Sequence, residues 1–447
     1  MAINVTGSLL LGLVVTLGAG WSTGARDVLG AGFLGGFTTC STFSVQIVLE
    51  ADGGRPGRAA AYAAPATTRS TNVTVVILTH RPAGRMARMS IETNARIRDI
   101  PVYPVAKGYA MPDAAAPLAS NESPDPPLPE VVAAVTRALG ALNRYPDPSY
   151  ATLRGRLADR YEIPPGRIAL GNGSCDVLLA AGQALLEPGA EIVHAWPSFS
   201  VYPHLSAASG ARAIRVALDA DHRHDLDAMA AEITAATRLV IVCNPNNPTS
   251  TAVDRQALGA FVARVPRHVA CIVDEAYCEF STLDDPDATL DLLRDHANLV
   301  LLRTFSKIYA LAGLRVGFAL CGSEDFVRAV DQVRQPFYLN AAAQAAAVEA
   351  LRHQDAVAER VERTVVARVE MEAGLQALGL QTADSQANFC WFDLPEETDE
   401  PEIVRALAQR GVLVRAGSAL GRDGALRVTY GTPEQNARFL DALGELL

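Results

Sequence analysis

Lys307 follows the apolar run 299–302, which places it on a loop at the end of a buried strand. Thr304 and Ser306 set hydroxyls beside it, and Arg315 comes eight residues later. An amine kept among hydroxyls and a guanidinium suits an aldehyde cofactor that carries a phosphate. The lysine condenses with the aldehyde while the other groups hold the phosphate. One Ser-Lys pair alone is equally a surface lysine after a strand, so the reading depends on what else converges there.

Four other strings supply that convergence. Gly171-Asn-Gly-Ser-Cys-Asp176 joins a strand to a helix, with glycines for a tight turn and free amides at the helix start for a phosphate. Asn244-Pro-Asn-Asn-Pro-Thr-Ser250 follows a buried strand, and its two prolines make a rigid turn able to set Asn247 against a ring oxygen. Asp274-Glu-Ala-Tyr277 ends the run Cys271-Ile-Val. An acid at the end of an apolar strand needs a partner, and a pyridinium nitrogen, which the carboxylate keeps protonated, is a good one. Tyr277 then turns its hydroxyl towards the ring's phenolic oxygen. Trp196-Pro-Ser-Phe199 also follows a strand, and Phe199 offers a face to a flat ring, while Trp196 reads equally as a core aromatic.

Beyond Asn121, short apolar runs alternate with amphipathic ones. Strands are expected at 167–170, 191–195, 239–243, 270–273 and 299–303, with helices such as 176–186 and 254–265 between them. That alternation predicts an α/β fold with a large, mostly parallel sheet covered by helices on both faces. Ligands on such sheets gather at the C-terminal ends of the strands, where every string above falls. After Gln335-Pro336 the pattern changes: helices at 341–353 and 356–378, strands at 387–393 and 425–429, and a terminal helix make a smaller α+β domain. The predicted organisation is an N-terminal arm at 91–120, a large cofactor-binding domain at 121–335 and a small domain at 336–447.

With those motifs in order, residues from about 90 to 447 resemble the fold-type I pyridoxal-phosphate aminotransferases, and within them the histidinol-phosphate aminotransferase family and its aromatic-amino-acid-using relatives. The matching strings are Leu118-Ala-Ser-Asn-Glu-Ser-Pro, Asn143-Arg-Tyr-Pro-Asp, 244–249, 274–277, 304–307 and Leu426-Arg-Val-Thr. The resemblance implies pyridoxal 5'-phosphate as cofactor and no metal. It makes Lys307 the Schiff-base lysine, Asp274 the partner of the ring nitrogen, and Asn247 and Tyr277 the residues holding the ring oxygen. Ser174, Cys175, Thr304, Ser306 and Arg315 would hold the phosphate. Tyr145 would reach the cofactor phosphate of a neighbouring subunit, which implies a homodimer. Asn121, Arg415 and Arg427 fall at the substrate, the two arginines at its anionic end, where two guanidiniums suit a phosphate or a carboxylate. Phe199 stands where the family commonly has tyrosine, which keeps stacking and loses a hydroxyl. The implied reaction is transamination of histidinol phosphate with 2-oxoglutarate. Freed Lys307 serves as base, which requires a pKa well below ~10.4. An aromatic amino acid is the alternative donor, needing only a carboxylate pair and an apolar pocket. Asn-Pro-Thr-Ser at 247–250 and the string 197–202 lean that way. A threonine-phosphate decarboxylase or a carbon–sulfur lyase would keep the same cofactor site, because the pocket chooses which bond breaks.

Composition sets the outer bounds. The chain has 447 residues, 49% of them apolar, and a formal charge of −10, which speaks against general nucleic-acid binding. Its seven cysteines are scattered, with no CxxC pair, as in a reduced cytoplasmic protein whose cysteines are small core residues. His222 and His224 in 219–225 read as part of a solvated polar loop, and 284–287 as a charged loop. Residues 1–64 differ in kind. The run 3–20 is apolar and uncharged, marginal in length for a membrane helix, and the first arginine is Arg26, unlike a secretory signal. Gly32-Phe-Leu-Gly-Gly-Phe-Thr-Thr-Cys-Ser-Thr-Phe-Ser44 and Asn4-Val-Thr-Gly-Ser8 resemble the core of the small bacterial fluoride channels. Cys40 replaces one of that family's pore phenylalanines, Phe43 matches the other, and too few helices are evident to bury a polar backbone break. A channel with a regulatory C-terminal domain is therefore the rival from another class, with membrane contact confined to this segment. Residues 65–90 read as a linker or a junction between two genes, with Met86 or Met89 as a natural start for the downstream chain.

Overall fold

The computed structural model describes residues 115–447. The channel-like segment, the junction at 65–90 and all but the end of the 91–120 arm lie outside the described residues.

The main sheet has seven strands: β2 (Ile168–Gly171), β3 (Glu191–Trp196), β4 (Arg212–Ala217), β5 (Thr237–Cys243), β6 (Ala270–Asp274), β7 (Leu299–Thr304) and β8 (Gly317–Cys321), in the spatial order β2-β8-β7-β6-β5-β3-β4. Neighbours pair in parallel except β8, which runs antiparallel to both β2 and β7. The strands read as unbroken apolar runs because both faces are covered. Alternate residues go to opposite sides. Val193, Val240, Val242, Val273 and Leu301 join one core, and Ile192, Leu239, Ile241, Ile272 and Leu302 the other. The helices Ala151–Tyr161, Arg255–Val262 and Ala341–Ala350 close the first face. Ser174–Leu185, Tyr202–Ser209 and Glu324–Val333 close the second.

The five expected strands are all present. Two others, β4 and β8, were not anticipated. β4 is an edge strand whose burial is broken by Arg212 and Arg215, so it lacks an apolar run. β8 returns after the 305–316 turn with only the short 3-10 helix Ala312–Leu314 before it, and so departs from strand–helix alternation.

A second sheet, β11 (Arg415–Ala416), β12 (Ala425–Thr429) and β9 (Phe389–Asp393), is antiparallel throughout, and its register sets Arg415 opposite Arg427. The long helix Gln354–Ala377 and the helix Pro433–Gly444 pack on it through Met371, Leu375 and Phe439. β1 (Ala116–Pro117) pairs in parallel with β10 (Val412–Leu413), so the chain enters along this second core before crossing to the main sheet. Among the described residues no helix is long and apolar enough to cross a membrane.

Candidate active site

β2, β3, β5, β6 and β7 end on one side of the main sheet, and their following loops surround a cavity of about 510 Å³. Lys307, Asp274, Tyr277, Ser174, Cys175, Phe199, Asn247, Thr304, Ser306, Arg315, Asn121, Arg415 and Arg427 all line it. Of the anticipated residues only Tyr145 does not. It is 81% exposed and stacks on Phe337 with ring centres 4.5 Å apart.

Lys307 Nζ donates to the carbonyls of Ser120 (3.2 Å) and Asn121 (3.0 Å). Burial pushes its pKa down to about 7, helped by the positive charges of Arg427 and Arg315 and opposed by Glu122. A large fraction of the amine is thus neutral at physiological pH, as a nucleophile or base requires.

Asp274 ends β6 and is buried. Its Oδ2 accepts a 2.9 Å hydrogen bond from the Tyr202 hydroxyl, while Oδ1 is buried without a partner. Burial raises its pKa to about 6 against the effect of that hydrogen bond. A buried carboxylate oxygen with nothing to accept is costly, and a pyridinium N–H is the kind of donor that would satisfy it.

The Tyr277 hydroxyl accepts from two amides, Asn121 Nδ2 at 3.1 Å and Asn247 Nδ2 at 3.4 Å. Both lone pairs are thereby engaged, and the phenolic proton is left to donate. Asn121 adopts a left-handed backbone (φ 53°), which asparagine tolerates, and Thr429 and Asn388 hold it there. It thus orients Tyr277, a role the resemblance did not assign to it.

The residues expected to hold a phosphate gather at the start of the helix Ser174–Leu185, whose first amides have no intrahelical partner. Gly173 is left-handed (φ 79°), and a Cβ there would run into the Arg315 guanidinium. A Cβ on Gly317 would strike the Ser174 amide nitrogen, so β8 must present glycine at this point. Thr304 Oγ1 lies 3.0 Å from Ser306 Oγ, which also accepts from Arg315 Nη1 at 3.3 Å. Arg315 is itself left-handed (φ 58°), a strained backbone for a non-glycine residue and one that occurs at functional sites.

Arg427 donates to Asn247 Oδ1 and to the Ala119 carbonyl, each at 2.6 Å. Its neighbour Arg415 makes no hydrogen bond or ion pair with the described residues, so the cavity contains a cation awaiting an anion. Leu420, Ala119 and Phe199 give the lining an apolar part.

Elsewhere, His224 is buried and contacts Asn246 Oδ1 at 3.1 Å, in place of the solvated loop expected for it. Asp287 in 284–287 ion-pairs with the buried Arg303 at 2.6 Å. Trp196 is half-buried, with a Gly421 Cβ position 2.7 Å from its indole. The six described cysteines are free, five of them buried. Tyr202, which the motifs did not single out, has one local signal: it lies three residues after Phe199, one helical turn on.

A profile of the aminotransferase class I and II family matches residues 115–443, and one of CrcB-like protein, Camphor Resistance, matches residues 1–78, where the channel-like string lies. The aromatic amino acid aminotransferase of Mycolicibacterium smegmatis is 43% identical over 353 residues, 79% of this chain and 95% of that protein. That of Thermobifida fusca is 44% identical over 344 residues, 76% of this chain and 93% of its own length. Among solved structures, histidinol-phosphate aminotransferase from Sinorhizobium meliloti in complex with pyridoxal 5'-phosphate superposes with a TM-score of 0.67 at 28% identity, covering 74% of this chain and 90% of that one.

Proposed function

We propose that this chain, which belongs to the class I and II aminotransferase family, moves the amino group of an aromatic amino acid to an oxo acid such as 2-oxoglutarate. The family's cofactor is pyridoxal 5'-phosphate, which when bound supplies an electron sink conjugated to the reacting amine. Lys307 Nζ would hold it covalently. Once freed by an incoming amine, the same nitrogen would be the base that takes the α-proton and later gives it back. Asp274 Oδ1 would take the ring N–H, Tyr277 would donate to the ring's phenolic oxygen, Phe199 would stand at the ring face, and the 173–175 amides with Thr304, Ser306 and Arg315 would hold the phosphate. Arg427 takes the α-carboxylate. The second half-reaction reverses these steps with the acceptor, so the kinetics are ping-pong.

The relatives' names carry the choice of donor. Proteins more than 40% identical over nearly their whole length are named for aromatic amino acids, whereas the histidinol-phosphate enzyme from Sinorhizobium meliloti stands at 28%. This reverses the order of donors expected from the sequence alone. The apolar wall of Ala119, Phe199 and Leu420 beside the arginines suits an aromatic side chain. The test is steady-state turnover of the full chain with phenylalanine, tyrosine and histidinol phosphate as donors. The kcat/KM for phenylalanine should exceed that for histidinol phosphate by at least ~100-fold, about 2.7 kcal/mol; the opposite order would return the site to histidinol phosphate.

Arg415 meets the distal carboxylate of 2-oxoglutarate, for which it is free. Arg415→Leu should lower kcat/KM for 2-oxoglutarate by roughly 30- to 100-fold, the value of about 2–3 kcal/mol for a charge-assisted pair. For phenylalanine the loss should stay below about threefold.

The titration of Lys307 gives a pH signature. Only the neutral amine can attack the aldehyde, so capture of pyridoxal 5'-phosphate by cofactor-free protein should speed up with pH to about 7 and then level off. Stopped-flow absorbance measures this. A rate still climbing tenfold per unit beyond pH 8 would mean an ordinary lysine.

A second copy of the chain completes the proposed assembly. Tyr145, Leu142, Leu139 and Val132 are exposed apolar side chains close in sequence, and a homodimer would cover them and bring Tyr145 to the partner's phosphate cup.

A further inference from the structure

Tyr202 does not line the cavity, yet it touches two residues that do. It opens the helix Tyr202–Ser209 and is fully buried. Its hydroxyl donates to Asp274 Oδ2 at 2.9 Å. Its ring stands edge-on to Phe199, with centres 5.7 Å apart and planes at 87°. On another side it meets His194 at 5.8 Å. We propose that Tyr202 is a positioning residue for the cofactor ring. Its hydroxyl pins the Asp274 carboxylate so that Oδ1 is the oxygen offered to the pyridinium nitrogen, and its ring holds Phe199 against the ring face. The proposal rests on the cofactor assignment under Proposed function and extends it to a residue outside the pocket.

The carboxyl torsion of an aspartate is soft and roughly two-fold, so an unanchored Asp274 could present either oxygen or turn edge-on. Among the described residues Tyr202 is the one side chain donating to it. Of the other titratable groups around this pair, His194 and Cys243 are neutral and Glu275 acts on Asp274 by charge repulsion. His194 on β3 is kept neutral, with burial lowering it to about 4, and its Nδ1 is engaged by the Ala195 carbonyl. Burial pushes the Cys243 thiol on β5 up to about 12. Glu275, the residue that follows β6, is tied to Arg303 at 2.8 Å, which offsets its charge. The charge of Asp274 is therefore stabilised on the protein side by the Tyr202 hydroxyl first and by the Ala276 backbone amide second. A hydrogen bond to a buried charge is the strong kind, and its loss leaves the charged form unsupported. Without it Asp274 would move towards the protonated form near neutral pH, and the ring nitrogen would lose its counter-charge.

Two variants of the full chain separate the two contacts. Tyr202→Phe keeps the ring and removes the hydroxyl; Tyr202→Leu removes both. The readouts are the Kd of cofactor-free protein for pyridoxal 5'-phosphate, the pH titration of the bound cofactor's visible absorbance, and kcat with KM. Tyr202→Phe should weaken cofactor binding ~10-fold, move the titration midpoint by at least ~0.5 unit and lower kcat ~10- to 30-fold, with donor KM within twofold. Tyr202→Leu should weaken cofactor binding a further ~5-fold. A cofactor analogue with carbon in place of the ring nitrogen supplies the control. With it, wild type and Tyr202→Phe should differ by less than twofold, because Asp274 then has no nitrogen to meet. Unchanged kcat and titration in Tyr202→Phe would overturn the proposal, and so would a deficit that persists with the analogue. A wild-type chain that gave no visible band with pyridoxal 5'-phosphate would instead overturn the cofactor assignment beneath it.

Discussion

Lys307→Ala should lose on the order of 10⁴-fold in kcat and all covalent retention of the cofactor. The size comes from two losses at one atom. General-base removal alone is worth roughly 10²- to 10⁴-fold, and the covalent exchange route vanishes with it. Borohydride treatment, which fixes the lysine–cofactor bond in the wild type, should label nothing in the variant. A small primary amine in the buffer should restore part of the rate, since it can enter the space the side chain vacates. Unfolding is not the expected cause. A lysine titrating near 7 instead of 10.5 binds fewer protons folded than unfolded. Its burial therefore costs stability that grows as pH falls from 10.5 to 7 and is complete below 7, about 5 kcal/mol from the shift. Alanine removes that cost but leaves the Ser120 and Asn121 carbonyls without their donor, an offset of about 1–3 kcal/mol each. The cofactor-free variant should melt no lower than the wild type at pH 7. Full turnover in it would end the assignment.

The parts legible in the sequence are those where one local pattern carries the chemistry. β5, β6 and β7 are buried on both faces, so each shows as an apolar run, and a polar residue within five positions of the end of each run reaches the cavity: Asn247, Asp274 and Lys307. The unread parts depend on distant pairings. β4 shows no run because its outward residues are arginines, and β8 is explained only by Gly317 lying on the Ser174 amide, more than 140 residues back in the chain. Asn121 was expected at the substrate, yet its side chain reaches Tyr277, because Thr429 and Asn388 from the second sheet hold it there. His224 sits among polar neighbours in sequence, yet it is buried and meets Asn246, 22 residues on. Tyr202 was visible as a letter next to Phe199, but its tie to Asp274 spans 72 residues. The donor was the least legible point, since Arg415 and Arg427 accept a phosphate or a carboxylate equally well.

Asp274→Asn should separate catalysis from folding in opposite directions. The substitution keeps the shape and removes the charge that the ring nitrogen needs. Breaking a buried ion pair costs about 3–4 kcal/mol, so kcat should fall roughly 10²- to 10³-fold. Cofactor affinity should suffer less, because Lys307 and the phosphate cup are untouched. Stability of the cofactor-free protein should move the other way. The Asp274 pKa is raised from 3.8 to about 6 by burial, so the folded protein binds the proton more readily than the unfolded chain. The sign is therefore opposite to that of a salt-bridged aspartate. The buried charge costs stability above pH 6, about 3 kcal/mol from the shift, and this cost is relieved as pH falls from 6 to 3.8. Asparagine has no such titration, and its Oδ1 can still accept from Tyr202. Any penalty for an unpartnered amide in the variant does not depend on pH and cancels when two pH values are compared. The stability difference between variant and wild type, from urea unfolding, should then favour the variant by about 2.4 kcal/mol more at pH 7 than at pH 4. Glu279, which burial also raises, to about 7, is common to both proteins and drops out of the comparison. A difference that stayed flat across that range would mean that Asp274 is not held as a buried charge at neutral pH, and the counter-ion for the ring nitrogen would have to be sought elsewhere.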